Sequence, residues 1–426
     1  MKAVARRTFA TILVTLLAGC TVYAVTFVHG PYSGAPSDDA VTISWQCDDP
    51  VPARIEYGPR GGFDVNGALP ESILVPAPGE DADPTTHVTL EGLEPGTDYA
   101  YRVTLDESGG DVTSAPGFFR TAPALGTPVS FAVLADTQLQ SEGTNRLELV
   151  GNAIAADPTP LDFILHGGDV VESPSSPYWD HWFSSFDAML LRAPFIPVLG
   201  NHEKNHSSYY EAFCFPPGEG KNDEEWWALH WGDVVVVGLD TNVRKASDYI
   251  AQQDWARAQL SGPEPYKFVI FHHPVFTSDA YYDAGTFLDE IFHPIFVETG
   301  VDIVFNGHSH HYEHIVRDGV TYLVVGGGGA TPRETRPEHI QGSDVSVEGH
   351  FFYVRVRTSS DGIQVETVSV ARLLPDDSVV ETGQLLDAFA LPAKGTEGVP
   401  SASWIVLAVA FGTAAAVWLL LRALSD

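Results

Sequence analysis

Between residues 129 and 325 one arrangement recurs: a short, largely apolar run that, in every case but the last, is followed within a few residues by a metal-binding or acid–base side chain. The runs are FAVL (131–134), FIL (163–165), FIPVL (195–199), VVVVGL (234–239), FVIF (268–271), VDIVF (301–305) and LVV (323–325). Runs of this kind have little or no polar face, so they suit strands buried on both sides. The longer segments between them include two with helical apolar spacing, 146–156 and 284–298, which would supply the covering layers. The fold class this predicts for 128–387 is α/β, with layers on each side of the sheet.

What stands where the runs stop is more specific. In chain order the strand ends present Asp136 with Gln138, then Asp169, then Asn201 with His202, then His272 with His273, then His308 with His310. The last of these belongs to NGHSHHYEH (306–314), which packs four of the chain's 16 histidines into nine residues. Ligands gather where the carboxyl ends of sheet strands open into a crevice. Carboxylates, an amide and imidazoles at one crevice make a mixed nitrogen and oxygen set suited to Mn, Zn or Fe. Any one match alone reads better as a capped turn or a solvated loop; five in order on one α/β pattern reverse that balance. His308 and His310 are then ligands, expected on alternate residues of an extended turn. His166 and His314, with Glu313, read as supports for the ligands or their loop, and His273 and His311 as supports or as exposed neighbours of the ligands. Gly326 to Gly329 lacks the Lys-Ser/Thr of a phosphate-binding loop and reads as a close backbone approach beneath the metal turn. The aromatic, acidic stretch 203–228, with Tyr209, Tyr210, Trp226 and Trp227, is long enough to cover the crevice.

The flanking segments differ in kind. Residues 28–122 alternate apolar and polar at 41–45, 53–57 and 99–103 between Pro and Gly turns, which predicts an all-β sandwich without a catalytic cluster. TAPALGTP (121–128) is a linker by composition, and 388–402 reads as a tether to an apolar segment, 403–422, long enough for a transmembrane helix. Arg422 places the C-terminus in the cytoplasm and the catalytic part outside it. Residues 1–27 form either an export signal, with a lipid-attachment pattern at Cys20, or an N-terminal anchor. Either way the chain is expected at the cell membrane with an extracytoplasmic body. Cys47 and Cys214 remain, and whether they pair is open. A net charge of −33, with only 23 Lys and Arg, repels polyanions and excludes a nucleic-acid-binding surface.

The order D-x-Q, G-D-x-x-E, G-N-H-E, H-x-P and G-H-x-H resembles the calcineurin-like metallophosphoesterases. With GPYSGAPSDDAVTISWQCDDPVPARIEYG (30–58), WWALHWGDVVVVGLDTN (226–242) and GHSHHYEH (307–314), it is similar to their purple acid phosphatase branch, whose N-terminal domain resembles fibronectin type III. The resemblance implies a four-layer α/β sandwich behind the β domain, two divalent metal ions, and hydrolysis of a phosphorylated substrate, most simply a monoester. Phosphodiester or nucleotide hydrolysis on the same fold, and a surface binding protein with a vestigial site, are the rival readings. By motif, Asp169 would bridge the metals, Asp136 and His310 would complete one, and Asn201, His272 and His308 the other. His202 would be the general acid beside them. Two departures stand out. Glu172 replaces the tyrosine that stabilises Fe(III), so a colourless, divalent site is expected. Gln138 replaces a histidine, so the first metal is expected to be the weaker one; Gln138 and Glu172 are extra ligands or supports. Tyr281 and Tyr282 fall where related plant enzymes carry phosphate-contacting histidines, and are candidate substrate contacts.

Overall fold

The computed structural model describes residues 25–79, 84–106, 110–139, 146–220, 224–243, 245–282 and 287–394. The expected export signal with Cys20, the end of the tether and the membrane segment 403–422 lie outside the described residues. Among the described residues, no helix is long and apolar enough to cross a membrane.

The N-terminal part holds β1 (Phe27–Gly34), β2 (Ala40–Cys47), β3 (Ala53–Pro59), α1 (Arg60–Asn66), β4 (Glu71–Val75), β5 (Thr86–Glu91), β6 (Asp98–Leu105), β7 (Val112–Thr113) and β8 (Gly117–Arg120). One sheet runs β1-β2-β5; the other runs β4-β3-β6-β7, with β8 also on β6. Alternate residues from the two sheets, among them Val41, Ile43, Trp45, Ile55, Tyr101 and Val103, fill the space between. Tyr99 closes a corner by accepting the Glu94 amide at 2.9 Å. Cys47 and Cys214 form no disulfide with each other.

The second part contains β9 (Ser130–Leu134), α2 (Arg146–Ala155), β10 (Phe163–His166), α3 (Ser176–Leu190), β11 (Phe195–Pro197), α4 (Ser207–Ala212), β12 (Gly218–Glu219), β13 (Trp226–Trp231) and β14 (Val234–Gly238). It continues with α5 (Ala246–Gln259), β15 (Tyr266–Phe271), α6 (Leu288–Ile291), α7 (His293–Thr299), β16 (Ile303–Asn306), β17 (Tyr312–Arg317) and β18 (Val320–Val325). It ends with β19 (Ser343–Val347), β20 (His350–Ser359), β21 (Gly362–Leu373) and β22 (Val379–Pro392). Two mixed sheets result, β11-β10-β9-β20-β21-β22 and β12-β13-β14-β15-β16-β18-β17-β19.

The unbroken apolar runs are explained by burial on both faces. On β9, Phe131 and Val133 turn towards the other sheet, and Ala132 and Leu134 turn towards α2 and α3. On β15, Phe268 and Ile270 face inward while Val269 and Phe271 meet α5, α6 and α7. Four layers follow, helices, sheet, sheet, helices. Phe131 joins the sheets: its ring stacks on Phe163 at 4.9 Å and meets Phe268 edge-on at 5.2 Å.

Several expectations are corrected. The single helical segment at 284–298 is two short helices that meet at Phe292, because Pro294 in the first turn of α7 cannot donate an amide to a continuous helix. The tether does not begin at 388, since β22 pairs with β21 out to Pro392. In the 203–228 stretch, Tyr209, Trp226 and Trp227 are buried core, not a cover, and the Trp227 indole donates to Pro197 O at 3.0 Å.

The β domain docks on the α3 side. The Phe118 amide donates to Leu191 O at 2.8 Å, and the His29 ring stacks on Phe183 at 4.2 Å and meets Asp180 at 2.8 Å. At the far end, Lys394 Nζ bonds Gly300 O at 2.8 Å and Asp302 at 2.7 Å, beside the N-terminal end of β16. Trimming Phe131 to alanine should loosen both sheets together and cost about 3–5 kcal/mol. The check is the midpoint of chemical unfolding, with an unchanged slope.

Candidate metal centre

Parallel strands β9, β10 and β11 of one sheet and β14, β15 and β16 of the other end at the same rim. The segments that follow them lock to one another through backbone bonds. Asp136 N donates to Gly168 O at 3.1 Å, Thr137 N to Asp169 O at 3.0 Å, and Gly307 N to His272 O at 2.9 Å. The His308 amide donates to both Asp136 carboxylate oxygens, at 2.9 and 2.8 Å. Asp136, Asp169 and His308 all sit in the left-handed region, with φ of 59°, 55° and 67°. Non-glycine residues pay about 1–2 kcal/mol for that conformation, and it persists only where surroundings enforce it. Here they do: a Cβ on Gly200 would lie 2.0 Å from the Asp169 amide nitrogen, so only glycine lets the third strand end pass.

The structure brings together the six residues expected as metal ligands. His272 Nε2 lies 3.2 Å from Asp169 Oδ2 and 3.0 Å from Asn201 Oδ1, and His308 Nδ1 lies 2.9 Å from the same Asn201 oxygen. The two ring nitrogens are 3.3 Å apart. His310 Nε2 is 3.4 Å from Asp136 Oδ1. Ligand atoms of Asp136, Asp169 and His272 all lie within 4.8 Å of one another, as do those of His272, His273 and His308. The extended turn expected at 308–310 is not formed. His308 is left-handed, Ser309 N donates back to Gly307 O, and the two histidines reach different neighbours, His308 to Asn201 and His272, His310 to Asp136 and Gln138.

Supporting bonds fix the ring tautomers. Gly167 O accepts from His272 Nδ1 at 3.0 Å and Thr331 O from His310 Nδ1 at 2.8 Å, which leaves Nε2 of each facing the carboxylates. Burial disfavours charge on His272, but Asp169 and Asp136 outweigh it and push the imidazole up to about 9. Burial also works against Asp169, yet the His272 charge holds its carboxyl well below the usual range. Burial and the neighbouring His272 and His273 push His308 down to about 2, so it is a neutral donor. A buried pocket that draws a proton onto His272 this strongly, and offers oxygen and neutral nitrogen beside it, fits a divalent cation. His166 is neutral too, pushed down to about 3 by burial, and its Nε2 meets Thr137 Oγ1 at 3.0 Å.

The remaining site residues line the mouth. His202 Nδ1 meets Glu172 O at 2.9 Å, and its Nε2 stands 3.8 Å from Asp169 Oδ2. Glu172 sets its carboxylate beside His202 at 3.6 Å. Gln138 places its amide nitrogen 3.3 Å from Asp169 and 3.1 Å from His310; a half-turn of the amide presents oxygen there instead. Tyr281 is exposed on the rim of a cleft of about 440 Å³, and the Tyr282 ring packs edge-on to His308 at 4.6 Å. The four glycines after β18 pass beneath this loop: a Cβ on Gly326 would lie 2.2 Å from Ser309 O.

Two residues escaped the sequence reading. Glu203 is fully buried and accepts from the amides of Asp169 (3.1 Å), Val171 (3.1 Å) and Gly200 (2.8 Å), tying two strand ends together. Burial, then the Asp169 charge, pushes it up to about 8. Its place beside Asn201 and His202 was the available signal. Arg333 lines the cleft beside His310, and its rarity as a cation in an acidic chain was the only cue.

The calcineurin-like phosphoesterase family matches residues 129–312, and the purple acid phosphatase N-terminal domain matches 28–121. The chain therefore carries a calcineurin-like metallophosphoesterase domain behind a purple acid phosphatase N-terminal domain. It is 27% identical to purple acid phosphatase 15 of Arabidopsis thaliana over 293 residues, 57% of this chain and 53% of that protein. To purple acid phosphatase 1 of Ipomoea batatas it is 28% identical over 264 residues, 56% of this chain and 54% of that one. The chain thus spans about half the length of these curated relatives. Purple acid phosphatase PPD1 from yellow lupin (Lupinus luteus) seeds shares the fold, with a TM-score of 0.68 at 18% identity, covering 85% of this chain and 74% of that chain.

Two outcomes are expected. Metal must displace the His272 proton below a pH of about 9, so affinity for Zn or Mn should fall about tenfold per unit as pH drops from about 8 to about 6. Calorimetric titration across that range reads it. Glu203→Gln keeps the shape but loses an acceptor, and should weaken metal binding about 10- to 100-fold, measured by competition with a chromogenic chelator.

Proposed function

We propose that this chain is a phosphoric ester hydrolase with a dinuclear centre of divalent metal ions, Mn, Zn or Fe, acting first on phosphomonoesters. The observation that carries the reading is the convergence of five strand ends, with Asp169 among them, on one buried site. Asp169 would be shared by both metals; Asp136 and His310 would hold one, and Asn201, His272 and His308 the other. When bound, such a pair neutralises phosphoryl oxygens and lowers the pKa of an attacking water. Purple acid phosphatases work with a dinuclear centre, and the likeness extends to the N-terminal domain. The surface charge of −33 repels an anionic substrate, which makes concentrated positive charge at the site a requirement.

The chain's own side chains do the rest. With Glu172 O accepting from Nδ1–H, the ring of His202 turns Nε2 towards Asp169, and the imidazolium form places the proton it can donate there. From there it protonates the departing alkoxide, work suited to an imidazole near neutral pH. Gln138 and Glu172 act as supports: Gln138 bridges Asp169 and His310, and Glu172 steadies His202. Because Glu172 stands where a phenolate would stabilise Fe(III), the centre is divalent and colourless.

We place the catalytic body outside the cytoplasm, tethered through 403–422, with residues 1–27 serving as signal or anchor. Lys394 is fastened beside the N-terminal end of β16, whereas His308 follows its C-terminal end. The chain thus leaves the body opposite the cleft, which suits a mouth turned away from the membrane. Protease access to the body in intact cells, with the mass of the mature N-terminus, tests this.

His202→Ala should lower kcat about 100- to 1,000-fold on alkyl phosphates, whose leaving group needs a proton. On p-nitrophenyl phosphate, which needs none, the loss should be much smaller. Equal losses on both would remove His202 from the general-acid role. The metal-loaded protein should show no visible charge-transfer band, and a purple solution would contradict the divalent reading.

A further inference from the structure

We propose that Arg333 binds the phosphoryl oxygen that a monoester leaves free and a diester has esterified, so that it sets monoester selectivity in this cleft. The inference rests on the hydrolase reading above and names the residue that chooses among esters. Among the described residues that line the cleft, Arg333 is the one arginine or lysine, set against the carboxylates of Glu172 and Glu334. Only 23 of the chain's 426 residues are Lys or Arg, so a cation at the mouth is not a by-product of a basic surface.

Its placement is built. The Arg333 amide donates to His310 O at 3.0 Å, and Nη1 donates to His308 O at 2.9 Å. The side chain is therefore bolted to the turn that presents both histidines of the H-x-H motif. Asp279, fully buried with one carboxylate oxygen lacking a hydrogen-bond partner, stands 3.7 Å from Nη1 and orients the guanidinium from behind. A backbone bridge between Asp279 and Thr335, with Ala280 N donating to Glu334 O at 3.1 Å, joins the Arg333 segment to the loop bearing Tyr281 and Tyr282. Nη1 is occupied, but among the described residues Nε and Nη2 meet no hydrogen-bond partner, and the side chain keeps 30% of its exposure. That leaves a guanidinium edge of two parallel donors, the geometry that takes a phosphate oxygen pair.

The chemistry of the ester then decides. A monoester carries three non-bridging oxygens and up to two charges, a diester two oxygens and one charge. A metal pair held at Asp169 would neutralise phosphoryl oxygens on its own side of the phosphorus, leaving an oxygen on the Arg333 side for the protein to bind. The third exists as a free oxygen only in the monoester, and a fixed cation beside the centre rewards it.

The test uses the metal-loaded full chain with Arg333→Gln and Arg333→Lys, reading three quantities. These are affinity for inorganic phosphate by calorimetry, KM and kcat for phenyl phosphate against bis-phenyl phosphate, and bound metal. Expected for Arg333→Gln is a phosphate affinity weakened about 10- to 100-fold and a monoester KM raised in step. Diester KM and metal content should stay as in the parent chain, and Arg333→Lys should recover part of the loss. Unchanged phosphate affinity and an unchanged monoester-to-diester ratio would overturn the proposal. A fall in metal content parallel to the fall in phosphate affinity would also overturn it, because Arg333 would then merely hold the histidine turn. Calorimetry needs no turnover, so a parent chain that hydrolysed no ester would sink the hydrolase reading separately.

Discussion

Asp169 is the residue on which the rest depends. Its backbone is left-handed, its carbonyl accepts from Thr137 and Gln138, its amide donates to Glu203, and its carboxylate accepts from the His202 amide at 2.8 Å. Through those bonds the ends of β9, β10 and β11 hold one another in place. The carboxylate itself faces His272 and the Gln138 amide at once. A buried carboxylate pays heavily for desolvation unless positive charge answers it. In this chain the answer is an imidazole pushed up to about 9, whose proton takes up on the ring the charge that a divalent cation bound there would supply.

The four-layer architecture produces that arrangement almost without choice. Strands buried on both faces admit no polar side chains along their length, so polar chemistry is forced to their ends. Parallel strands put those ends on one rim, and the two sheets bring Asp136, Asp169 and Asn201 opposite His272 and His308. The N-terminal β domain leans on α3 and contributes none of the described residues that line the cleft. Its work is mechanical: it covers the outer helix layer through Phe118 and His29.

The sheet strands of the catalytic part and the residues at their ends were legible because both signals are local. An unbroken apolar run marks double burial, and the residue after it marks the rim. The β domain was legible from alternation at 41–45, 53–57 and 99–103. What was not legible depended on partners distant in sequence. Trp226 and Trp227 look like a polar segment's aromatic cover until β13 pairs with β14 and buries them. The turn at 308–310 reads as extended, but Asp136 caps the His308 amide and bends it left-handed. Glu203 and Arg333 act through backbone groups of other strand ends, so no spacing rule announces them. Strands β20 to β22 do alternate, yet only pairing with β9 shows that they complete the first sheet.

An acidic chain that gathers five imidazole- and carboxylate-bearing strand ends around one buried aspartate makes physical sense only if metal ions belong there. The most direct test is the metal content of the purified chain, prepared without chelators and measured by plasma mass spectrometry. About two equivalents of a divalent transition metal per chain are expected, and one only if the weaker position beside Gln138 has been stripped, in which case added Mn or Zn restores the second. A chain that holds none, and takes up none on reconstitution, would contradict the dinuclear centre outright.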